Sequence, residues 1–262
     1  MPKIQAISAR DNPLLAQVRR LIRQPDAYRK HAAVWLEGEH LCRACVDRRG
    51  GAGVRAIVSD IGWESPTLRA LASRADSVSI VPPALMAGLS TLDSAAPIGF
   101  VAAWPGPGAL RSDAPSVVLD RVQDAGNVGT ILRSAAAFGV TQAIALEGTA
   151  ALWSPKVLRA AMGAHFALDL VERTDPAALG ALAVPMLATS SHAGELLHVA
   201  TLPWPCAWVV GHEGQGVADD LMGRCAATVR IPQPGGEESL NVAIAASICL
   251  YESARRRIAG QR

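Results

Sequence analysis

The chain has 262 residues, half of them hydrophobic and 18% charged, with a formal net charge of +2. That suits one large or two modest globular domains, and every apolar run is broken by charge, Gly or Pro before it reaches the length of a membrane span. Residues 1–10 hold no apolar core followed by a cleavage site, so the expectation is a cytoplasmic protein with no membrane partner.

Charge is unevenly spread. Residues 1–104 carry thirteen Lys/Arg against nine Asp/Glu, and residues 105–262 twelve against fourteen. In the first thirty residues Lys3, Arg10, Arg19, Arg20, Arg23, Arg29 and Lys30 face only Asp11 and Asp26. Such an excess suits a phosphate backbone, and equally a solvated helix face. The five cysteines are odd in number and scattered, which argues against a disulfide framework. Cys42 and Cys45 form a C-x-x-C with no second Cys/His pair of ligand spacing, and a three-residue step in a helix places both on one face. No metal is expected.

Taken in order, Asn12-Pro13 starts a helix whose apolar face is Leu14, Leu15, Val18, Leu21 and Ile22, ending about Arg23. Residues 33–36 form a strand, residues 39–47 a helix, and residues 54–59 a second strand after a Gly-rich turn. A helix over 67–74, a strand over 77–81, a short helix over 83–88 and a strand over 98–103 complete a compact α/β unit. The Pro/Gly-rich stretch 105–115 reads as a linker. The expected division is therefore 1–104, a linker, and 116–262.

The second part opens with an all-apolar strand, 116–119. A helix over 128–138 follows, with Asn127 as its cap and Gly139 as its stop. Strands are expected at 143–146, 167–171, 185–188, 207–210 and 227–231, with helices at 155–162, 176–182 and 217–223. That alternation predicts a mostly parallel sheet covered by helices, with ligand loops at the carboxyl ends of strands. A last helix begins near 237–241, where Glu237, Glu238, Ser239 and Asn241 are first-turn or capping candidates. Leu240, Ala243, Ile244, Ser247, Ile248 and Tyr251 recur at helical spacing and predict its buried face.

Three loops of this part carry chemistry-bearing residues. Residues 124–133 read DAGNVGTILR, with Asn127 and Arg133. Residues 211–216 read GHEGQG directly after an apolar strand, with Glu213 as a carboxylate among glycines that allow close backbone approach. Residues 231–242 run from Ile231-Pro232 to Ser239-Leu240-Asn241-Val242. There is no G-x-x-x-x-G-K-[ST], no G-x-G-x-x-G between a first strand and helix, and no G-x-S-x-G. A nucleotide triphosphatase, a usual dinucleotide fold and a serine hydrolase are all disfavoured.

In this order and combination the three stretches resemble the motifs of the SpoU (TrmH) family of RNA ribose 2′-O-methyltransferases, over about residues 117–257. Asn12-Pro13-Leu14 and Leu36-Glu37-Gly38-Glu39-His40 resemble the ribosomal-protein-like RNA-binding domain often attached in front of it. Pro155-Lys156 and residues 159–164 also look familial. Ala125, Ala161 and Ala243 stand where the family often has proline, serine and serine, and none of these removes a reacting group.

The resemblance implies a trefoil-knotted methyltransferase domain working as a homodimer, with S-adenosyl-L-methionine as methyl donor. Its binding residues would be Thr189, Val210, Gly211, Ile231 and Leu240. Arg133 would be the central catalytic residue, either as base or as an orienting group, with Asn127, Glu213, Ser239 and Asn241 around it. Arg10, Arg19, Arg20 and Arg159 would bind RNA. The paired front domain points to ribosomal RNA; transfer RNA, or a non-catalytic RNA-binding role on the same scaffold, are the alternatives.

Overall fold

The computed structural model describes residues 2–236 and 239–260. The chain divides into two compact units, Met1–Gly106 with Trp153–Phe166, and Pro107–Leu152 with Ala167–Arg262.

The first unit contains β1 (Lys3–Ala6), α1 (Pro13–Arg23), α2 (Ala27–His31), β2 (Ala33–Glu37), α3 (Glu39–Arg49) and β3 (Arg55–Ser59). It continues with α4 (Asp60–Glu64), α5 (Pro66–Ala72), β4 (Ser77–Val81), α6 (Pro83–Ala87) and β5 (Ile98–Ala103). Its strands lie in the order β1-β4-β3-β5-β2, parallel among β1, β4 and β3 and antiparallel where β5 meets β3 and β2. The start of α1 is written locally: Asn12 Oδ1 accepts from the Leu14 N–H at 2.9 Å, and Pro13 presets the first helical φ. Three of its elements were not expected. The four residues of β1 are all exposed, so they have no apolar alternation to read. The five-residue helices α2 and α4 are too short to display a period.

The second unit contains β6 (Ser116–Leu119), α7 (Ala125–Ala137) and β7 (Gln142–Leu146), after which α8 (Pro155–Ala161) belongs to the first unit. Then come β8 (Asp169–Thr174), β9 (Met186–Ser190), β10 (Glu195–Leu196), β11 (Ala207–Val210), α9 (Asp219–Met222), β12 (Ala227–Arg230) and α10 (Val242–Gly260). The expected helix over 176–182 is a 3₁₀ segment, Pro176–Ala181. All seven strands are parallel, in the order β10-β12-β9-β11-β6-β7-β8. β6, β7 and β11 are buried at every residue, as a parallel sheet covered on both faces requires. On one face Val118, Ile144, Val171 and Val209 pack with Leu179, Val217 and Leu221. Alternation turns Trp208 the other way, and its indole N–H donates to Ser253 Oγ of α10 at 2.9 Å. On that side α7 and α10 are joined by the Ser134 and Ser247 hydroxyls, 2.7 Å apart.

The buried face of α10 coincides with the expected one only in part: Ala243 is buried and Ser247 and Ile248 are half-buried. Ala243, Ala246, Cys249, Leu250, Ser253 and Ala254 are buried, whereas Leu240, Ile244 and Tyr251 are exposed. Small residues face inward because α10 lies close to both α7 and β11.

Residues 153–166 join the first unit through side-chain packing. The Arg49 guanidinium from α3 lies over the rings of Trp153 and Phe166, at 5.5 and 5.2 Å from their centroids. Gly163 sits at φ +88 against Ala44, where a Cβ would come within 2.6 Å. The division is therefore not a single cut. Cys42 and Cys45 are both buried in α3, where burial pushes both thiols up. Their packing is that of core residues.

Candidate active site

The strands β12, β9, β11 and β6 are neighbours in the second sheet, so the loops at their carboxyl ends converge. A cavity of about 520 Å³ opens there, lined among others by Thr189, Gly211, Glu213, Ile231, Ser239 and Leu240. The loop after β11 closes on itself: the His212 N–H donates to Gly216 O at 3.0 Å, and the Gly216 N–H donates to His212 O at 2.8 Å. The crossing demands glycine at 211, where a Cβ would lie 2.0 Å from the Gly216 carbonyl carbon.

Asn127 is not the cap of α7. The helix starts three residues earlier than expected, because Asp124 Oδ1 accepts from the Asn127 N–H at 2.9 Å and Ala125-Gly126 form the first turn. The Asn127 amide is thereby free to bridge two other loops. Its Nδ2–H donates to Glu213 Oε1 at 3.1 Å, and its Oδ1 accepts from Asn241 Nδ2 at 3.0 Å. Asn241 Oδ1 accepts in turn from the N–H groups of Ala243 and Ile244, at 2.9 and 3.3 Å, and so caps α10. Residues from three sequence-distant stretches thus form one relay.

Glu213 completes it. Oε1 also accepts from the Asp124 N–H at 3.0 Å, and Oε2 from the Gln123 N–H at 3.2 Å. Desolvation pushes this carboxyl up, but the hydrogen bonds from Asp124, Asn127 and Gln123 together outweigh it and hold the carboxyl below its ordinary value. Both oxygens already accept bonds.

The exposed side chain of Arg133 projects from α7 and makes no hydrogen bond or ion pair to another described residue. Six residues beyond Asn127, it stands about 9 Å further along the helix. Ser239 is an exposed residue of the cavity wall. Thr189 spends its hydroxyl on Val209 O, at 3.2 Å. Val210 is fully buried, its carbonyl accepting from the Asp120 N–H at 2.9 Å, so it stands behind the cavity wall. Glu237 and Glu238 lie outside the described residues.

The candidate RNA-binding arginines belong to the first unit. Arg10 and Arg20 are exposed, while Arg19 Nη1 donates to Arg10 O at 2.7 Å. Arg159 donates to Thr91 Oγ1 at 2.8 Å, with the Glu37 carboxylate 3.9 Å away.

A second set of residues braces the site and was not anticipated. Buried Asp120 takes Nε and Nη2 of Arg121 at 2.9 and 3.0 Å, and the Ala218 N–H at 2.8 Å. Arg121, at φ +58, donates through Nη1 to Gln215 Oε1 at 3.0 Å. An arginine in the left-handed region at the mouth of a site marks strain held by its surroundings. The signal in the sequence was Asp120-Arg121 directly after a buried strand.

The SpoU rRNA Methylase family profile matches residues 114–251. The chain belongs to this family. It is an RNA methyltransferase by that membership. It is 31% identical to an uncharacterized tRNA/rRNA methyltransferase of Synechocystis sp., over 97% of this chain and 95% of that one. It is 38% identical to a 23S rRNA (guanosine-2′-O-)-methyltransferase of Bordetella pertussis, over 56% of this chain and 62% of that enzyme. The chain thus spans less than two thirds of that ribosomal RNA enzyme. Its structure is similar to that of the SpoU methyltransferase AviRb from Streptomyces viridochromogenes in complex with the cofactor AdoMet. The TM-score is 0.83 at 25% identity, over 94% of this chain and 98% of that one. No described helix is long and apolar enough to cross a membrane.

Proposed function

We propose that the chain methylates a ribose 2′-hydroxyl in RNA, with ribosomal RNA as the substrate and S-adenosyl-L-methionine as the methyl donor. The observation that carries this reading is the relay Glu213–Asn127–Asn241 beside a glycine-walled cavity. The cavity fits the donor in size, being within the roughly 300–1,000 Å³ of cofactor sites. It fits in chemistry as well: Gln233 lines it, and its buried Oε1 has no hydrogen-bond partner, an acceptor suited to an amine-bearing ligand.

Bound S-adenosylmethionine supplies an electrophilic methyl group on a sulfonium. Thr189, Gly211, Ile231 and Leu240 hold the donor, and Val210 acts from behind them by fixing Gly211. A neutral ribose hydroxyl is a poor nucleophile, so the chain must orient it and ease the loss of its proton. A guanidinium remains protonated in proteins, and we assign Arg133 to bind the phosphate beside the target ribose and to orient its hydroxyl. Glu213, with both oxygens already accepting hydrogen bonds, acts as a brace. Asn127 and Asn241 transmit that brace to α7 and α10, and Ser239 contacts the ribose.

The relatives named as ribosomal RNA methyltransferases support the substrate class, and the basic start of the chain supports RNA binding by the first unit through Arg10, Arg19, Arg20 and Arg159. The knot expected of the family accords with stretch 239–241 returning to Asn127. A homodimer is favoured by a seven-residue stripe on α10, where Ile244, Tyr251 and Ile258 are 53, 54 and 56% exposed. The enzyme works in the cytoplasm, where its substrate is.

Alkaline digestion of the methylated RNA tests the reaction class. A 2′-O-methyl leaves an alkali-resistant dinucleotide carrying the label. Label released entirely as mononucleotide would mean base methylation and contradict the reading.

A further inference from the structure

The loop that presents Glu213 is held by an imidazole. His212 Nδ1 accepts from the backbone N–H groups of Gly214 and Gln215, at 3.0 and 3.3 Å. A nitrogen that accepts two N–H bonds carries no proton, so the neutral ring is the tautomer with its proton on Nε2. These bonds lie inside the ring closed between His212 and Gly216, and fix the turn from which Glu213 reaches Gln123, Asp124 and Asn127. We propose that His212 is a pH-sensitive clasp on this loop, and so a positioning residue for methyl transfer. The inference rests on the reading of the adjoining cavity as the methyl-donor site.

The sign follows from the donor count. A neutral imidazole accepts both N–H groups; an imidazolium has only donors and would face two more. Protonation therefore opens the clasp, and the loop is ordered when the ring is neutral and released as pH falls. Histidine is the side chain whose charge ordinarily changes between about pH 5 and 8. The carboxyl of Glu213 is held below its ordinary value, so its own protonation comes at lower pH. Other titratable or charged groups around the loop include Arg121, bonded to Gln215, Asp120, bonded to Arg121 and to the Ala218 N–H, Asp124, whose N–H bonds Glu213, and His192 and Asp219 on the cavity wall.

The test compares full-length wild type, His212→Asn and His212→Ala, by methyl transfer across about pH 5.5–8 and by NMR of ¹⁵N-labelled protein. Asparagine accepts from backbone N–H groups two residues on without titrating. The wild type should lose on the order of ten-fold in turnover toward the acid end. His212→Asn should stay flat over the same range, and His212→Ala should be about ten-fold slower throughout, as expected for two lost hydrogen bonds. The Gly214 and Gln215 amide signals should move with the His212 imidazole signals in the wild type. An unchanged acid limb in His212→Asn, full neutral-pH turnover in a folded His212→Ala, or a limb that vanishes in His192→Asn would each overturn the proposal. Absence of methyl transfer by the wild type at every pH would sink the methyltransferase reading alone, and the amide titration would still decide the clasp.

Discussion

Asn127 donates to a carboxylate on one side and accepts from an amide on the other, a pairing that no isosteric residue reproduces. Asn127→Asp would set a second carboxylate against Glu213 Oε1. Turnover is expected to fall on the order of 100-fold, near 2.7 kcal/mol at 1.36 per decade; steady-state kinetics at near-wild-type rate would remove the relay from the mechanism. Asp120→Ala would strip Arg121 of its bidentate partner and leave the Ala218 N–H unpaired. The expected cost is about 1–3 kcal/mol of stability by urea unfolding, with no loss if the brace is idle. Asn127, Glu213 and Asn241, which the structure joins, were legible as candidates through the family resemblance of their loops, as were Arg133 and Ser239, which stand apart from that relay. The bonds of Asn127 were not, since Asp124 and Asn127 are equally good caps on paper and only the true helix start frees the second. The left-handed backbone of Arg121 was illegible for another reason: nothing in an arginine announces it.

At the level of elements, α10 shows how a correct helix can be assigned a face that is only partly right, since Ala243 is buried but Ile244 and Tyr251 are not. Apolar periodicity favoured Ile244 and Tyr251, but close approach to α7 and β11 selects Ala, Ser and Cys, and periodicity weighs size the other way. The stripe left outside carries the dimer proposal, so Tyr251→Glu should give a monomer by light scattering, whereas an unchanged mass would place any dimer elsewhere. The far end of α10 is tied down by charge. Glu252 pairs with Arg255 and Arg256, and Arg256 also donates to the carbonyls of Ala200 and Leu197, at 2.5 and 2.7 Å. The Arg255 hydrogen bond, against opposing desolvation and with help from Arg256, lowers the Glu252 carboxyl to about 2. A depressed carboxyl contributes stability above its unfolded value of about 4.3, and loses it as pH falls through the folded value. Glu252→Gln should therefore melt about 2–4 °C below wild type at neutral pH. The gap should close between about pH 4 and pH 2; a gap constant with pH would contradict the pairing.

For the whole molecule, the parallel sheet was readable because its buried strands are runs of Val, Leu, Ile and Ala between helical segments. The allotment of residues 153–166 to the first unit was not, since it depends on Arg49 meeting Trp153 and Phe166 over a hundred residues away. That allotment also governs how RNA binding is tested: deleting the first hundred residues would strip α8 of its packing, whereas surface charge reversal leaves the unit whole. Arg10→Glu with Arg20→Glu should weaken RNA affinity and flatten its salt dependence while S-adenosylmethionine binding stays within two-fold, on the order of 0.4 kcal/mol. Equal RNA affinity in the double variant would make these arginines ordinary solvated charges. The central claim is tested most directly by transfer of radiolabelled methyl from S-adenosylmethionine to ribosomal and transfer RNA, with Arg133→Ala beside the wild type. The account predicts label in the ribosomal pool that disappears in the variant while donor binding persists. Equal labelling by the variant, or label confined to transfer RNA, would contradict it.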